Sequence, residues 1–239
     1  MAAELGPPPQ RIPRPVNAEL GPPPPWATLP AGRRSGFTID RVRAALTTPF
    51  DPTFRPGVPV GGQPRQSAVL APLFEEEGEV RMVLTRRASH LRNHRSEVSF
   101  PGGGVDPGET LVGAALREAW EEVGLAPESV EVIGMLSPMV TFTSGALINP
   151  FVGLLPGRPS LRVNPAEVER AFDVSLTDLL TSGVHRSERW HFGGEPRDMY
   201  FFDLPGDIVW GATGRLVWEL LVRVTGGAPD AEPEIAALG

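Results

Sequence analysis

The stretch Gly103-Gly104-Val105-Asp106-Pro107-Gly108-Glu109-Thr110-Leu111-Val112-Gly113-Ala114-Ala115-Leu116-Arg117-Glu118-Ala119-Trp120-Glu121-Glu122-Val123-Gly124-Leu125 decides the fold. A glycine-rich turn opens it, and a helix is predicted over residues 107–123. Asp106 offers an oxygen to orphan backbone donors, Pro107 suits the first helical position, and Glu109 completes a capping box. Gly124 reads as the C-cap. Glu118, Glu121 and Glu122 stand at i, i+3 and i+4, so their carboxylates leave one face of the helix. Like charges at that spacing cost about 0.2–0.5 kcal/mol per pair, and the negative end of the helix dipole adds to the penalty. Two readings fit the spacing: a solvated acidic face, or a site for a hard divalent cation such as Mg2+ with oxygen ligands.

Outward from this stretch, strands and helices alternate. Residues 67–74 and 80–85 read as strands around an acidic turn at Gly78, followed after the helix by strands at 130–136 and 148–155. Helical patterns are predicted at 37–46, 165–171 and 213–224, with a strand at 199–203. This order predicts an α/β fold, a mixed β-sheet sandwiched between helices. Residues 1–35 are proline-rich and are expected to form a flexible tail, with the folded domain over 36–225 and a second loose tail at 226–239. Within the first tail, Ala3-Glu4-Leu5-Gly6-Pro7-Pro8-Pro9 recurs as Ala18-Glu19-Leu20-Gly21-Pro22-Pro23-Pro24. The helix expected over 37–46 leaves room for packing across a homodimer.

Composition removes several function classes. Cysteine is absent, so disulfides, thiolate metal sites and cysteine nucleophiles are excluded. Lysine is absent too: all 22 basic residues are arginine. Schiff-base chemistry and a P-loop lysine are therefore ruled out. A net charge of −7 argues against general nucleic-acid binding. No apolar run is long enough for a membrane span or a secretory signal, and the expected location is cytoplasmic. Against the acidic background, Arg86-Arg87-Ala88-Ser89-His90-Leu91-Arg92-Asn93-His94-Arg95 is a basic cluster. The planar guanidinium suits phosphate oxygens, and such a cluster beside a cation site would attract a polyanion. His90 and His94 lack the third ligand that zinc needs.

The full spacing of the first stretch resembles the signature of the Nudix hydrolases: Gly, five residues, Glu, seven residues, then Arg-Glu-U-x-Glu-Glu-x-Gly-U, with U aliphatic. The matching positions are Gly103, Glu109, Arg117, Glu118, Glu121, Glu122, Gly124 and Leu125, with the small Ala119 at the first aliphatic place. The resemblance implies the Nudix fold, Mg2+ or Mn2+ held by Glu118, Glu121, Glu122 and the Gly103 carbonyl, and water-driven cleavage of a diphosphate. It also implies catalytic roles for Glu118, Glu121 and Glu167, with Glu118 and Glu167 the alternatives for the general base. Arg117 and Glu109 are expected to pair and brace the loop against the helix.

The upstream stretch is similar to the added signature of the coenzyme A pyrophosphatase branch of that family. It reads Val83-Leu84-Thr85-Arg86-Arg87-Ala88, then Arg92, Ser96 and Phe100-Pro101-Gly102-Gly103. Similarity continues through Thr143-Ser144-Gly145, Asn149-Pro150, Glu167-Val168 and Trp210-Gly211-Ala212-Thr213. What this implies is cleavage of coenzyme A or acyl-coenzyme A to 3′,5′-ADP and (acyl-)4′-phosphopantetheine, with substrate contacts at Arg86, Arg87, Arg92, Arg95 and Phe100. Ser96 departs from the family glycine, a residue that would permit positive φ there. ADP-ribose or a dinucleotide as substrate, and a non-catalytic ligand sensor on the same fold, are the rival readings. The intact box glutamates count against the sensor.

Overall fold

The structure, a computed structural model, describes residues 10–47, 64–91, 94–141, 145–192 and 195–226. The N-terminal part supplies β1 (Glu19–Leu20) and α1 (Ile39–Leu46). The larger sheet begins with β2 (Gln66–Glu76), β3 (Glu79–Arg87), β4 (Val98–Ser99) and β5 (Gly102–Gly104). Helix α2 (Leu111–Val123) precedes β6 (Glu131–Met135), β7 (Met139–Val140), β8 (Leu147–Leu154) and β9 (Val168–Ser175) of the same sheet. After the short α3 (Leu176–Leu179) come β10 (His185–Phe192), β11 (Glu195–Leu204), β12 (Asp207–Val209) and α4 (Gly211–Thr225).

The mixed sheet is anchored on β2, whose apolar run from Ala68 to Phe74 is buried along nearly its whole length. Strand β2 pairs in parallel with β8, and the connection between them carries α2; its pairings with β3 and β5 are antiparallel. The β2–β3 turn is a two-residue hairpin in which Glu77 (φ 52°) and Gly78 (φ 78°) both take left-handed geometry, as a type I′ turn requires. On one face of the sheet, the alanine stripe Ala114, Ala115 and Ala119 of α2 lets the helix lie close over Leu70, Phe74 and Val83. Ala119, small for its place in the motif, is fully buried there.

The other face meets α4, α1 and a second sheet ordered β1-β10-β11-β12. Leu73, Met82 and Leu84 from the first sheet pack with Phe202 and Val209 from the second and Val217 and Leu221 from α4. A buried ion pair joins the sheets. Arg86, 0% exposed, donates from Nη1 to Asp207 Oδ1 at 2.5 Å and lies 3.4 Å from Glu169 through Nε. Removing one partner of such a pair costs about 3–5 kcal/mol.

Three expectations change. Residues 10–35, expected as part of a loose tail, pack against the second sheet: Trp26 is 2% exposed in the core, and β1 pairs with β10. Residues 1–9 and 227–239 lie outside the described part. The helix expected at 165–171 is a turn followed by β9, because pairing with β3 along Val168–Ser175 overrides a weak local helical pattern. Helix α2 starts at Leu111 rather than 107: Gly108 sits at φ 84°, outside helical space, and the Thr110 hydroxyl accepts the Gly113 N–H as N-cap. Helix α1 buries Val42 and Leu46 inside its own chain, with Phe37 beside them.

Candidate metal centre and active site

The loop before α2 is shaped by the residues that suggested a cap. The Asp106 N–H donates to Glu109 Oε2 at 3.1 Å, closing a turn rather than a helical end. Arg117 then fans across that turn. Its Nε and Nη2 hold both Glu109 oxygens at 3.0 and 3.1 Å, and Nη2 also reaches the Gly104 carbonyl at 3.0 Å. The expected Arg117–Glu109 brace therefore forms. From Nη1 the same guanidinium donates to Glu118 at 3.0 Å and to Glu121 at 3.1 Å.

At the other end of α2, unsatisfied carbonyls do the positioning. Asn164 N–H donates to the Glu122 carbonyl at 2.9 Å, and Arg162 N–H to the Val123 carbonyl at 2.9 Å. Asn164 also turns the chain, its carbonyl accepting from Glu167 N–H and its side chain accepting from Ala166 N–H. The Glu167 carbonyl in turn accepts from Ala88 N–H at 2.8 Å, beside Arg87 at the end of β3. Glu167 is thus pinned between the helix end and the basic loop.

The result is a trio: Glu118, Glu122 and Glu167 each bring a carboxylate oxygen within 4.8 Å of the others. Glu122 is 1% exposed; its Oε2 has no hydrogen-bond partner among the described residues, and its Oε1 lies 3.5 Å from Arg87 Nη1. Burial pushes the Glu122 carboxyl up to about 8; Arg87 opposes this, and the neighbouring Glu167 and Glu118 reinforce it. Burial also raises Glu118, against the pull of Arg117. Gly103 faces Glu118 so closely that any Cβ would collide with the carboxylate. Three converging carboxylates, an orphaned buried oxygen and a glycine-walled recess make a donor set that fits a hard divalent cation.

The other predicted residues fall in different places. Glu121 stands outside the trio, half-exposed on Arg117. Arg87 is in the site, facing Glu122. Arg95 is exposed on the turn before β4, and Arg92 lies outside the described residues. Two residues expected to touch substrate are buried. Arg86 is consumed by Asp207 and Glu169 between the sheets, and Phe100 is 3% exposed within the core. The place of Arg86 follows from the alternation of β3, which turns it away from its neighbour Arg87. Ser96, which stands where the resembled upstream signature has glycine, takes φ 55° in left-handed geometry and is buried. The sequence reading missed Asn164 and Gly102, whose N–H supports Glu122. An Asn-Pro step at 164–165 is the turn signal that could have marked the first.

A carboxylate centre on a loop and helix, walled by glycine and backed by arginine, has the donor set for a hard divalent cation. The NUDIX domain family matches residues 64–192. The chain belongs to the Nudix family and is a Nudix hydrolase. It is 37% identical over 161 residues to the protein named "Uncharacterized Nudix hydrolase NudL" of Photorhabdus laumondii subsp. laumondii, covering 67% of this chain and 85% of that one. The protein of the same name from Enterobacter sp. (strain 638) is 37% identical over 161 residues, covering 67% of this chain and 83% of the relative. Among solved structures, a MutT/nudix family protein from Enterococcus faecalis matches with a TM-score of 0.47 at 14% identity, over 81% of this chain and 77% of that one. Among the described residues no helix is long and apolar enough to cross a membrane.

Proposed function

We propose that this chain hydrolyses the diphosphate bond of coenzyme A or acyl-coenzyme A, releasing 3′,5′-ADP and (acyl-)4′-phosphopantetheine. The observation that carries the reading is the carboxylate trio beside a loop whose Ser96 takes a positive φ, a conformation that the glycine of the resembled signature would permit.

Glu118, Glu122 and Glu167, with the Gly103 carbonyl, would hold Mg2+ or Mn2+. When bound, such an ion neutralises diphosphate oxygens and acidifies a coordinated water. Glu121, held at the rim by Arg117, adds negative charge that draws the cation in. Arg87 supplies the nearest positive charge to Glu122 and, with Arg92 and Arg95 further along the sequence, receives the substrate's phosphates. Glu118 is already occupied by Arg117, whereas the Glu167 side chain makes no hydrogen bond or ion pair among the described residues, so Glu167 is the base that takes the proton of the attacking water. The setting for this reaction is the cytoplasm.

One experiment tests the reading. Purified protein is incubated with Mg2+ or Mn2+ and, separately, coenzyme A, acetyl-coenzyme A, ADP-ribose, NADH and diadenosine tetraphosphate, and the products are resolved by anion exchange. Release of 3′,5′-ADP that stops with EDTA and with Glu122→Gln is the expected result. Turnover of another substrate alone would overturn the coenzyme A assignment and leave the hydrolase. Metal binding with no turnover would replace catalysis by ligand sensing.

A further inference from the structure

The N-terminal segment closes both open edges of the second sheet. At β12 the Gln10 side-chain amide acts as a one-residue strand: Nε2 donates to the Ile208 carbonyl at 2.9 Å, and Ile208 N–H donates to Oε1 at 2.5 Å. Arg14 reaches Glu188 at 2.6 Å. At β10, Glu19 and Leu20 pair with Arg189 and Glu188, Gly21 N–H donates to the Ser187 carbonyl at 3.0 Å, and Ser187 Oγ donates to the Pro22 carbonyl at 2.5 Å. Gly21 is required by space: a Cβ would sit 2.5 Å from Ser187 Oγ and 3.0 Å from its backbone carbon. An unpaired strand edge is a template for other strands, so this closure has a protective effect.

The seated residues 18–24 read Ala-Glu-Leu-Gly-Pro-Pro-Pro, and residues 3–9 have the same seven residues. We propose that the β10 edge is a recognition site for this heptad and that residues 3–9 of the same chain are its alternative occupant. The contacts holding the seated copy on Ser187 use backbone atoms and the missing Cβ of Gly21. Residues 3–9 carry the same residues in the same order, with Gly6 in the place of Gly21. Trp26 stays in the core during the exchange while residues 10–25 loop out, at the modest closure entropy of a loop that length. The seated copy dominates because it alone keeps the Gln10 and Arg14 contacts. The short tether favours the chain's own heptad over one from a second molecule. Exchange uncovers Ile208, next to the Asp207 that holds Arg86, so the occupant of one edge sets the exposure of the other.

The absence of cysteine makes the test clean. Full-length chains carrying Glu19→Cys with Arg189→Cys, or Glu4→Cys with Arg189→Cys, are treated with a short dithiol crosslinker. Links are mapped by mass spectrometry, and monomer is separated from dimer on a gel. The 19–189 link is expected to dominate; adding Gly21→Val should lower it and raise the intramolecular 4–189 link about tenfold, and Gly6→Val on top should abolish both. In the chain with glycine at both positions, excess free heptad peptide should suppress the 19–189 link, and a peptide with valine for glycine should not. A 4–189 link that fails to rise in folded Gly21→Val protein, together with no competition by the peptide, overturns the proposal. Linking only between two molecules overturns the own-chain occupant.

Discussion

The centre on α2 and the second sheet with its N-terminal segment reach order by opposite routes. In the first, Glu118 and Glu122 are separated by one helical turn, and a local rule of geometry sets them side by side. In the second, Glu19 meets Arg189 and Gln10 meets Ile208 across most of the chain length. Local periodicity writes the first in advance; long-range pairing makes the second. The first also tolerates an energetic penalty, since three carboxylates crowd a buried recess, whereas the second is held by ordinary burial and closed edges.

The largest effect should come from the centre. Glu122→Gln is expected to lower the proposed diphosphatase activity on the order of a thousandfold, while its melting temperature without metal stays level or rises, because a carboxyl whose charge burial disfavours is gone. A variant that loses stability instead would make Glu122 a structural residue and erase the contrast. On the other side, Trp26→Ala should destabilise the chain by about 3–5 kcal/mol in a single cooperative urea transition, with the substrate preference retained. A two-step transition would show that the N-terminal segment folds apart from the core.

Next comes pH. His185 lies under Trp26, their rings 5.1 Å apart, with both ring nitrogens buried and unbonded among the described residues. Burial, aided by Arg186, holds it down to about 4. A depressed histidine makes its contribution above the unfolded value near 6.5 and loses it as pH falls toward 4, a change of about 3 kcal/mol across that window. His185→Phe should remove that acid limb, seen by urea melts at pH 7.5 and 4.5; an unchanged limb would place the acid sensitivity elsewhere. The smallest effect is Ser96→Gly. Relief of left-handed serine, offset by glycine's greater freedom when unfolded, should stabilise by about 0.5 kcal/mol with turnover within twofold. A large gain in activity would mean that the serine loop is misfitted to substrate.

What could be read in the sequence follows the same division. The sheet with its helices, the Arg117–Glu109 brace, the Gly124 cap and the carboxylate face of α2 were legible because each depends on residues a few positions apart. Glu167 was named from resemblance, but its route into the site, through Asn164 bonded to the end of α2, is a tertiary contact with no period to detect. Arg86 and Arg87 looked equivalent in a basic run, and only the orientation of β3 separates a buried strut from a site residue. Strand β10 was missed because His-Arg-Ser-Glu-Arg-Trp-His-Phe shows no apolar alternation; it buries Ser187 and Glu188 with their partners instead. Prolines suggested a tail at residues 10–35, yet a strand edge accepts a proline-flanked segment when only a few bonds are needed.

The Asn164 contact makes α2 a ruler. The last carbonyls of the helix are the address at which the later loop docks, and Arg117 fixes the other end of the scale. A residue inserted between Glu118 and Glu122 would rotate one mark by about 100° and lengthen the scale by about 1.5 Å, so both carboxylates could not remain in register with Glu167. Relatives that keep this chemistry should therefore vary freely in the length of the 156–161 turn and hardly at all in the count of residues along the helix.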